Sequence, residues 1–149
     1  STAGATNIEL LFNHPVKELI FIGTPVVAAS ATTGLSTSAR LDTVAGTETL
    51  QLVLNGHDRF AAQSVYYFTR KQVSQYHSGV GGINVKDSIG VYSFALKPEE
   101  HQPSGTCNFS RIDNARLLTT GTVPAMTIYG INYNVLRIMS GMGGLAYSN

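Results

Sequence analysis

Four histidines and one cysteine are the side chains of this sequence best suited to acid–base, metal or nucleophilic chemistry. No two histidines stand two or four residues apart, the spacings that place two imidazoles on one face of a strand or helix. Glu99 and Glu100 precede a histidine directly, but adjacent residues of an extended chain point to opposite faces. The sequence therefore predicts no metal site and no cofactor. The histidines are His14, His57, His77 and His101.

Cys107 lies in a stretch of strand-like composition, residues 105–109. Catalytic thiols usually sit at a helix N-terminus, where the dipole lowers the pKa of the thiol. We therefore interpret Cys107 as a small buried apolar residue, with a cysteine hydrolase as the alternative. The glycines at 79–82 and 141–144 lack the Lys-Ser/Thr of a phosphate-binding loop, so we interpret both as turns. No catalytic residue is predicted.

Two segments concentrate polar side chains of different chemistry. Asn55-Gly56 predicts a tight turn, and a histidine, an aspartate and an arginine follow it. Residues 97–111 combine charged side chains with two prolines and a glycine. An active site would need a partner base and a pocket that the sequence does not identify. We predict instead that these segments brace the fold or its contacts with neighbouring subunits, through His57, Asp58, Arg59, Glu99, Glu100 and Arg111.

The chain carries unusually little charge. Its 149 residues fit one domain, and only 13% of them are charged, against about 25% in ordinary soluble domains. The net charge of +1 gives no concentrated positive field for nucleic acid or an anionic membrane. No apolar run approaches the ~20 residues that span a bilayer, so we expect a soluble, intracellular chain. Two explanations of the low charge stay open: a Ser/Thr-rich β domain, or a surface covered by partners.

Alternating apolar residues and β-rich runs predict many short strands and almost no helix. Residues 60–72 fit a helix or a strand equally well, whereas residues 30–48 and 70–88 are expected to be loops. This pattern predicts an all-β sandwich or barrel. The predicted strands lie near residues 8–12 and at residues 16–22, 26–29, 49–55, 89–96, 105–110, 113–119, 125–130 and 132–139.

Four segments, in order along nearly the whole chain, closely resemble the C-terminal part of the major capsid proteins of nucleocytoplasmic large DNA viruses. The block at residues 92–111, YSFALKPEEHQPSGTCNFSR, is the most specific of them. The other three are FNHPVKELI at residues 12–20, LNGHDRF at residues 54–60 and YNVLR at residues 133–137.

The resemblance implies an eight-stranded antiparallel jelly roll over residues 1–149, the second of two jelly rolls in a longer chain. It implies a structural function in trimeric, pseudo-hexagonal capsomers that tile an icosahedral shell, with assembly in the host cytoplasm. The implied partners are trimer mates, neighbouring capsomers, minor capsid proteins and the first jelly roll of the same subunit. An internal viral membrane would lie nearby without insertion of this chain, and no direct contact with nucleic acid is implied. The first jelly roll is absent from this sequence, which departs from the family pattern.

A carbohydrate-binding, lectin-like jelly roll is the alternative function. Lectins of this kind bind sugars with an exposed aromatic platform and amide or carboxylate acceptors. The residues that could supply such a site are Tyr66, Tyr67, Tyr76 and Asn84.

Overall fold

The computed structural model describes residues 7–23, 41, 47–78, 89–121 and 125–147. Eleven strands occur in these ranges: β1 Asn7–Glu9, β2 Pro15–Gly23, β3 Thr49–Leu54, β4 His57–Asp58, β5 Gln63–Ser64, β6 Ile89–Ser93, β7 Cys107–Asn108, β8 Ala115–Thr120, β9 Met126–Asn132, β10 Leu136–Met139 and β11 Met142–Leu145. A π-helical turn, Tyr67–Lys71, runs directly into helix α1, Gln72–Tyr76, and a 3-10 turn covers Phe109–Arg111. None of the helices in the described ranges is long and apolar enough to cross a membrane.

The strands form two antiparallel sheets that enclose one core. In the first sheet the order is β1-β8-β3-β4, and β5 also pairs with β3. In the second sheet β2 is central and pairs with β6, β7 and β9. Strands β10 and β11 pair with each other and form a separate two-stranded hairpin. The prediction of an all-β sandwich is therefore confirmed, although three of the described strands are only two residues long.

Alternation along the strands builds the core. Leu19 and Phe21 point inward from β2, Leu50 and Leu52 point inward from β3, and each is at most 1% exposed. Leu117 of β8 lies opposite Leu52 in the sheet and is fully buried with it. Because residues two apart share a face of a strand, these positions follow from the sequence pattern. Burial of a side chain of this size contributes about 1.5–3 kcal/mol.

The helical segment begins at Tyr67, inside the ambiguous stretch at residues 60–72, and ends at Tyr76. Val65 and Phe68, three residues apart, are both buried, and the ring of Phe68 meets Phe21 edge-on at 5.8 Å. The side chain of Gln72 accepts a hydrogen bond from the Ser93 backbone N–H at 3.2 Å, so the segment packs along the edge of β6. The predicted loop at 70–88 is therefore wrong over residues 70–76, because this edge of the sheet needs a cover.

Three further local predictions need correction. The strand predicted at residues 105–110 is only β7, because the side chain of Asn108 accepts a hydrogen bond from the Ser110 N–H and starts the 3-10 turn. The strand predicted at residues 132–139 is divided between β9 and β10. Of the glycines expected to form a turn at residues 141–144, Gly141 does so, whereas positions 143 and 144 lie in β11. The predicted strand at 26–29, most of the loop at 30–48 and the turn at 79–82 lie outside the described residues.

Gly105→Ala should destabilise the protein, and Gly144→Ala should not. Gly105 has a φ of +148°, and a Cβ there would lie 2.7 Å from the carbonyl oxygen of Phe94. We expect a loss of about 1–3 kcal/mol of unfolding free energy at this position. A Cβ on Gly144 would meet nothing within 4 Å, so its variant should change stability by less than about 0.5 kcal/mol. Urea unfolding of both variants tests the difference, and equal stabilities would contradict it.

Candidate assembly surfaces

The predicted group at residues 57–59 lies at an exposed corner of the first sheet. His57 and Asp58 form β4, which folds back on β3 through a tight turn with positive φ at Asn55 and Gly56. The side chain of Asn55 accepts hydrogen bonds from the backbone N–H groups of residues 113 and 114, at 3.0 and 3.1 Å. Asn55 therefore fixes this corner to the start of β8, and the side chains at 57–59 stay exposed.

The predicted residues at 97–111 separate into different environments. Lys97 and Glu100 form an exposed ion pair at 3.1 Å, of a type that contributes little to stability. Arg111 is exposed in the 3-10 turn. Glu99 accepts hydrogen bonds from Ser78, at 2.9 Å from its backbone N–H and 3.1 Å from its hydroxyl. No hydrogen bond or ion pair among the described residues joins any of these to residues 57–59.

Glu99 instead lies beside His77, a histidine to which the sequence assigned no role. His77 follows α1 directly, and its Nε2 lies 3.0 Å from a carboxylate oxygen of Glu18 in β2. Its Nδ1 lies 3.4 Å from Glu99. Glu18 is only 7% exposed, in the middle of an apolar strand. A buried carboxylate needs a partner, so the position of Glu18 was the available indication of this cluster.

Cys107 does not have the surroundings of a nucleophile. The thiol is half-buried, and burial raises its pKa, an effect that the charge of Arg59 only partly opposes. A raised pKa reduces the thiolate that a hydrolase would need. The predicted strand position is confirmed by β7. No group of three or more metal-ligating side chains occurs within the described ranges.

The second sheet has an apolar outer face. Since Leu19 and Phe21 point into the core, Ile20 and Ile22 of β2 point outward. Their cross-strand partners share that face: Val91 and Ile89 on β6, Tyr129 and Thr127 on β9, with Ile131 one pair further along. The corresponding outer positions of the first sheet mix the polar Gln51, Arg116 and Thr120 with the half-buried Val53 and Leu118. We call the set Ile20, Ile22, Ile89, Val91, Tyr129 and Ile131 the outer apolar face. Within it, Val91 is already buried, Ile20 and Ile22 are half-buried, and the other three are exposed.

The β10–β11 hairpin is exposed along its whole length. Of the twelve large hydrophobic side chains exposed in the described residues, nine lie in residues 129–147. The side chain of Asn134 holds the base of the hairpin, because it bonds both the N–H and the carbonyl of Tyr147. The ring of Tyr147 in turn stacks on His14 at 5.4 Å. A two-stranded hairpin alone is marginally stable in water, so its apolar side chains need a further surface.

Comparison with known proteins identifies the family of the chain. Residues 1–144 match the family model of the large eukaryotic DNA virus major capsid protein. The chain belongs to this capsid protein family. The major capsid protein of Pyramimonas orientalis virus is 45% identical over 168 residues, covering 99% of this chain and 40% of the relative. That of Paramecium bursaria Chlorella virus 1 is 38% identical and is covered to 44%. This capsid protein chain thus spans less than half the length of these relatives.

Solved structures of capsid proteins agree with the fold. A crystal structure of the PBCV-1 protein VP54 matches with a TM-score of 0.74 and 37% identity, over 96% of this chain and 46% of that one. A quasi-atomic model of the PBCV-1 virus capsid matches with a TM-score of 0.71. The predicted jelly roll and the predicted family are confirmed.

The comparisons do not support a lectin. Two of the three tyrosines proposed for a sugar platform contact their own neighbours: Arg70 lies 4.5 Å from the ring of Tyr66, and the hydroxyl of Tyr67 accepts a hydrogen bond from Gln72. The third, Tyr76, is the last residue of α1. Asn84 lies outside the described residues.

The thiol of Cys107 should react slowly with iodoacetamide in the folded protein. Burial both shields the sulfur and disfavours its thiolate. At pH 7.5 we expect alkylation at least about tenfold slower than in the same chain unfolded in urea. Mass spectrometry of timed samples gives both rates, and glutathione in the same two solutions corrects for the denaturant. Equal rates would restore the cysteine hydrolase as a candidate.

Proposed function

We propose that this chain is one jelly-roll domain, residues 1–149, of a structural capsid subunit that has no enzymatic activity. The observation that carries the proposal is the concentration of exposed apolar side chains in residues 129–147, nine of the twelve found in the described residues. Interfaces that hold permanent assemblies together are more apolar than ordinary surface. The family membership and the fold support the same function.

The low charge of the chain fits such an assembly. With 13% charged residues, the surface resembles the charge-depleted centre of protein interfaces. The outer apolar face and the β10–β11 hairpin are two surfaces that partners would cover. The proposed partners are the other jelly roll of the same subunit, two further copies in a trimer, neighbouring capsomers and minor capsid proteins. The proposed location is the capsid of the virion, near an internal membrane, after assembly in the host cytoplasm.

A charge placed on either surface should block trimer formation. Tyr129 and Ile138 are 51% and 68% exposed, so Tyr129→Glu and Ile138→Glu should leave the domain folded. A carboxylate buried at an interface without a partner costs several kcal/mol, which predicts at least about a hundredfold weaker assembly. Light scattering of the full-length capsid protein gives the mass. Thr120→Glu, exposed on the outer face of the first sheet, is the matched control. Trimers in both test variants would refute the proposal.

The exposed arginines of the two predicted groups test whether these groups contact neighbouring subunits. Arg59 and Arg111 make no side-chain hydrogen bond or ion pair among the described residues, so alanine at either position should change unfolding free energy by less than about 0.5 kcal/mol. We expect both variants to weaken capsomer formation, since the side chains are free to bind carboxylates of a neighbour. Size-exclusion chromatography over a dilution series measures this. Unchanged assembly in both variants would remove residues 57–59 and 111 from the interface.

A further inference from the structure

The imidazole of His77 lies between two carboxylates that come from different parts of the fold. Nε2 faces Glu18 of β2 at 3.0 Å, and Nδ1 faces Glu99, in the turn after β6, at 3.4 Å. The ring is mostly enclosed, with 21% of its side chain exposed. His77 itself is attached to the end of α1 through its backbone N–H, which donates to the carbonyl of Val73. One ring thus contacts both the central strand and the turn.

This arrangement fits a doubly protonated ring. A neutral imidazole has one N–H donor and one bare nitrogen, whereas the imidazolium has two donors. With a neutral ring, one of the two carboxylates would face a nitrogen lone pair. The facing atoms of Glu18 and His77 are buried, and their contact lacks the alignment of a hydrogen bond, so attraction between charges is what the pair offers. Loss of the ring proton would leave a buried carboxylate without a compensating charge.

We propose that Glu18, His77 and Glu99 form a proton-dependent clasp that fastens the end of α1 to β2 and to the turn after β6. The clasp is closed when the ring is protonated and both carboxylates are ionised. It is a property of the folded domain and stands independently of the capsid function proposed above.

The other charged groups around the clasp are fixed by contacts of their own. From β2, the ammonium of Lys17 donates to the carbonyl of Pro98 at 2.7 Å and lies over the ring of Tyr133. In the turn, Lys97 pairs with Glu100. From the end of α1, Ser78 donates twice to Glu99. The imidazolium is therefore the charge placed directly between the two carboxylates.

Both a fall and a rise in pH should open the clasp, because acid neutralises the carboxylates and base neutralises the ring. The backbone N–H of Ser78 lowers the pKa of Glu99, and the Ser78 hydroxyl and His77 add to this effect. A carboxylate with a lowered pKa stabilises the fold above its unfolded pKa, and this contribution is lost as the pH falls through the folded value. At the alkaline end, loss of the ring proton removes the positive charge that lies between the two carboxylates. The clasp should therefore be tightest in mildly acidic solution.

Hydrogen–deuterium exchange of the full-length protein tests this profile. Peptides that cover residues 72–78 and 94–101 report on the two segments that the clasp joins. After correction for the intrinsic pH dependence of exchange, their protection should fall about tenfold between pH 5.5 and 8.5, and again below pH 4. His77→Gln should abolish the fall on the alkaline side. His101→Gln, which changes an exposed histidine near the same turn, is the matched control and should keep it.

Two results would overturn the clasp. One is wild-type protection that stays constant between pH 5.5 and 8.5, and the other is an alkaline fall that persists undiminished in His77→Gln. If His77→Gln does not fold, Glu99→Gln provides the test, because it removes one of the two carboxylates. Its alkaline fall and its acid limb should both be smaller than those of the wild type, because only Glu18 still faces the ring, whereas a profile identical to the wild type would refute the proposal.

Discussion

The pairing of β2 with three other strands is the interaction on which the rest of the structure depends. Its backbone bonds β6, β7 and β9, so segments more than a hundred residues apart in sequence are held by one strand. Its side chains are apolar on both faces: Leu19 and Phe21 enter the core, whereas Ile20 and Ile22 point outward. A sheet of this kind normally keeps one face in water. The second sheet is therefore built to be covered on both sides.

The same strand accounts for the buried charge. Glu18 occupies an outward position of β2, where its cross-strand neighbours are Ser93 on β6 and Ile131 on β9. Removing a carboxylate from water costs several kcal/mol unless an opposite charge compensates it. His77 provides that partner from the end of α1, which itself covers the edge of β6. The short helix thus protects an open sheet edge and supplies the partner of the buried carboxylate.

The strands with clear alternation could be predicted from the sequence, and the features that depend on distant partners could not. β2, β3 and β8 lie close to their predicted positions because buried residues alternate within these strands, as Leu50 and Leu52 do in β3. The stretch around Val65 is ambiguous in sequence. Ala61, Val65 and Phe68 have the spacing of one helical face, whereas residues 65–69 have the composition of a strand. The Glu18–His77 contact joins residues 59 positions apart. No local pattern encodes such a contact; only the burial of Glu18 hints at it.

The low charge of the chain follows from how its apolar surface is distributed. An isolated domain with this fold would gain solubility from charge on its outer faces. The outer face of the first sheet does carry Arg116 and Gln51, whereas residues 133–147 contain a single charged side chain, Arg137. A two-stranded hairpin with exposed leucine, isoleucine and methionine gains little from its own packing, yet Asn134 and Tyr147 hold its base in place. Fixing the base lowers the entropy lost when the hairpin binds a partner, which favours tight association. Charge is therefore scarce where the chain has most to gain from contact with another surface.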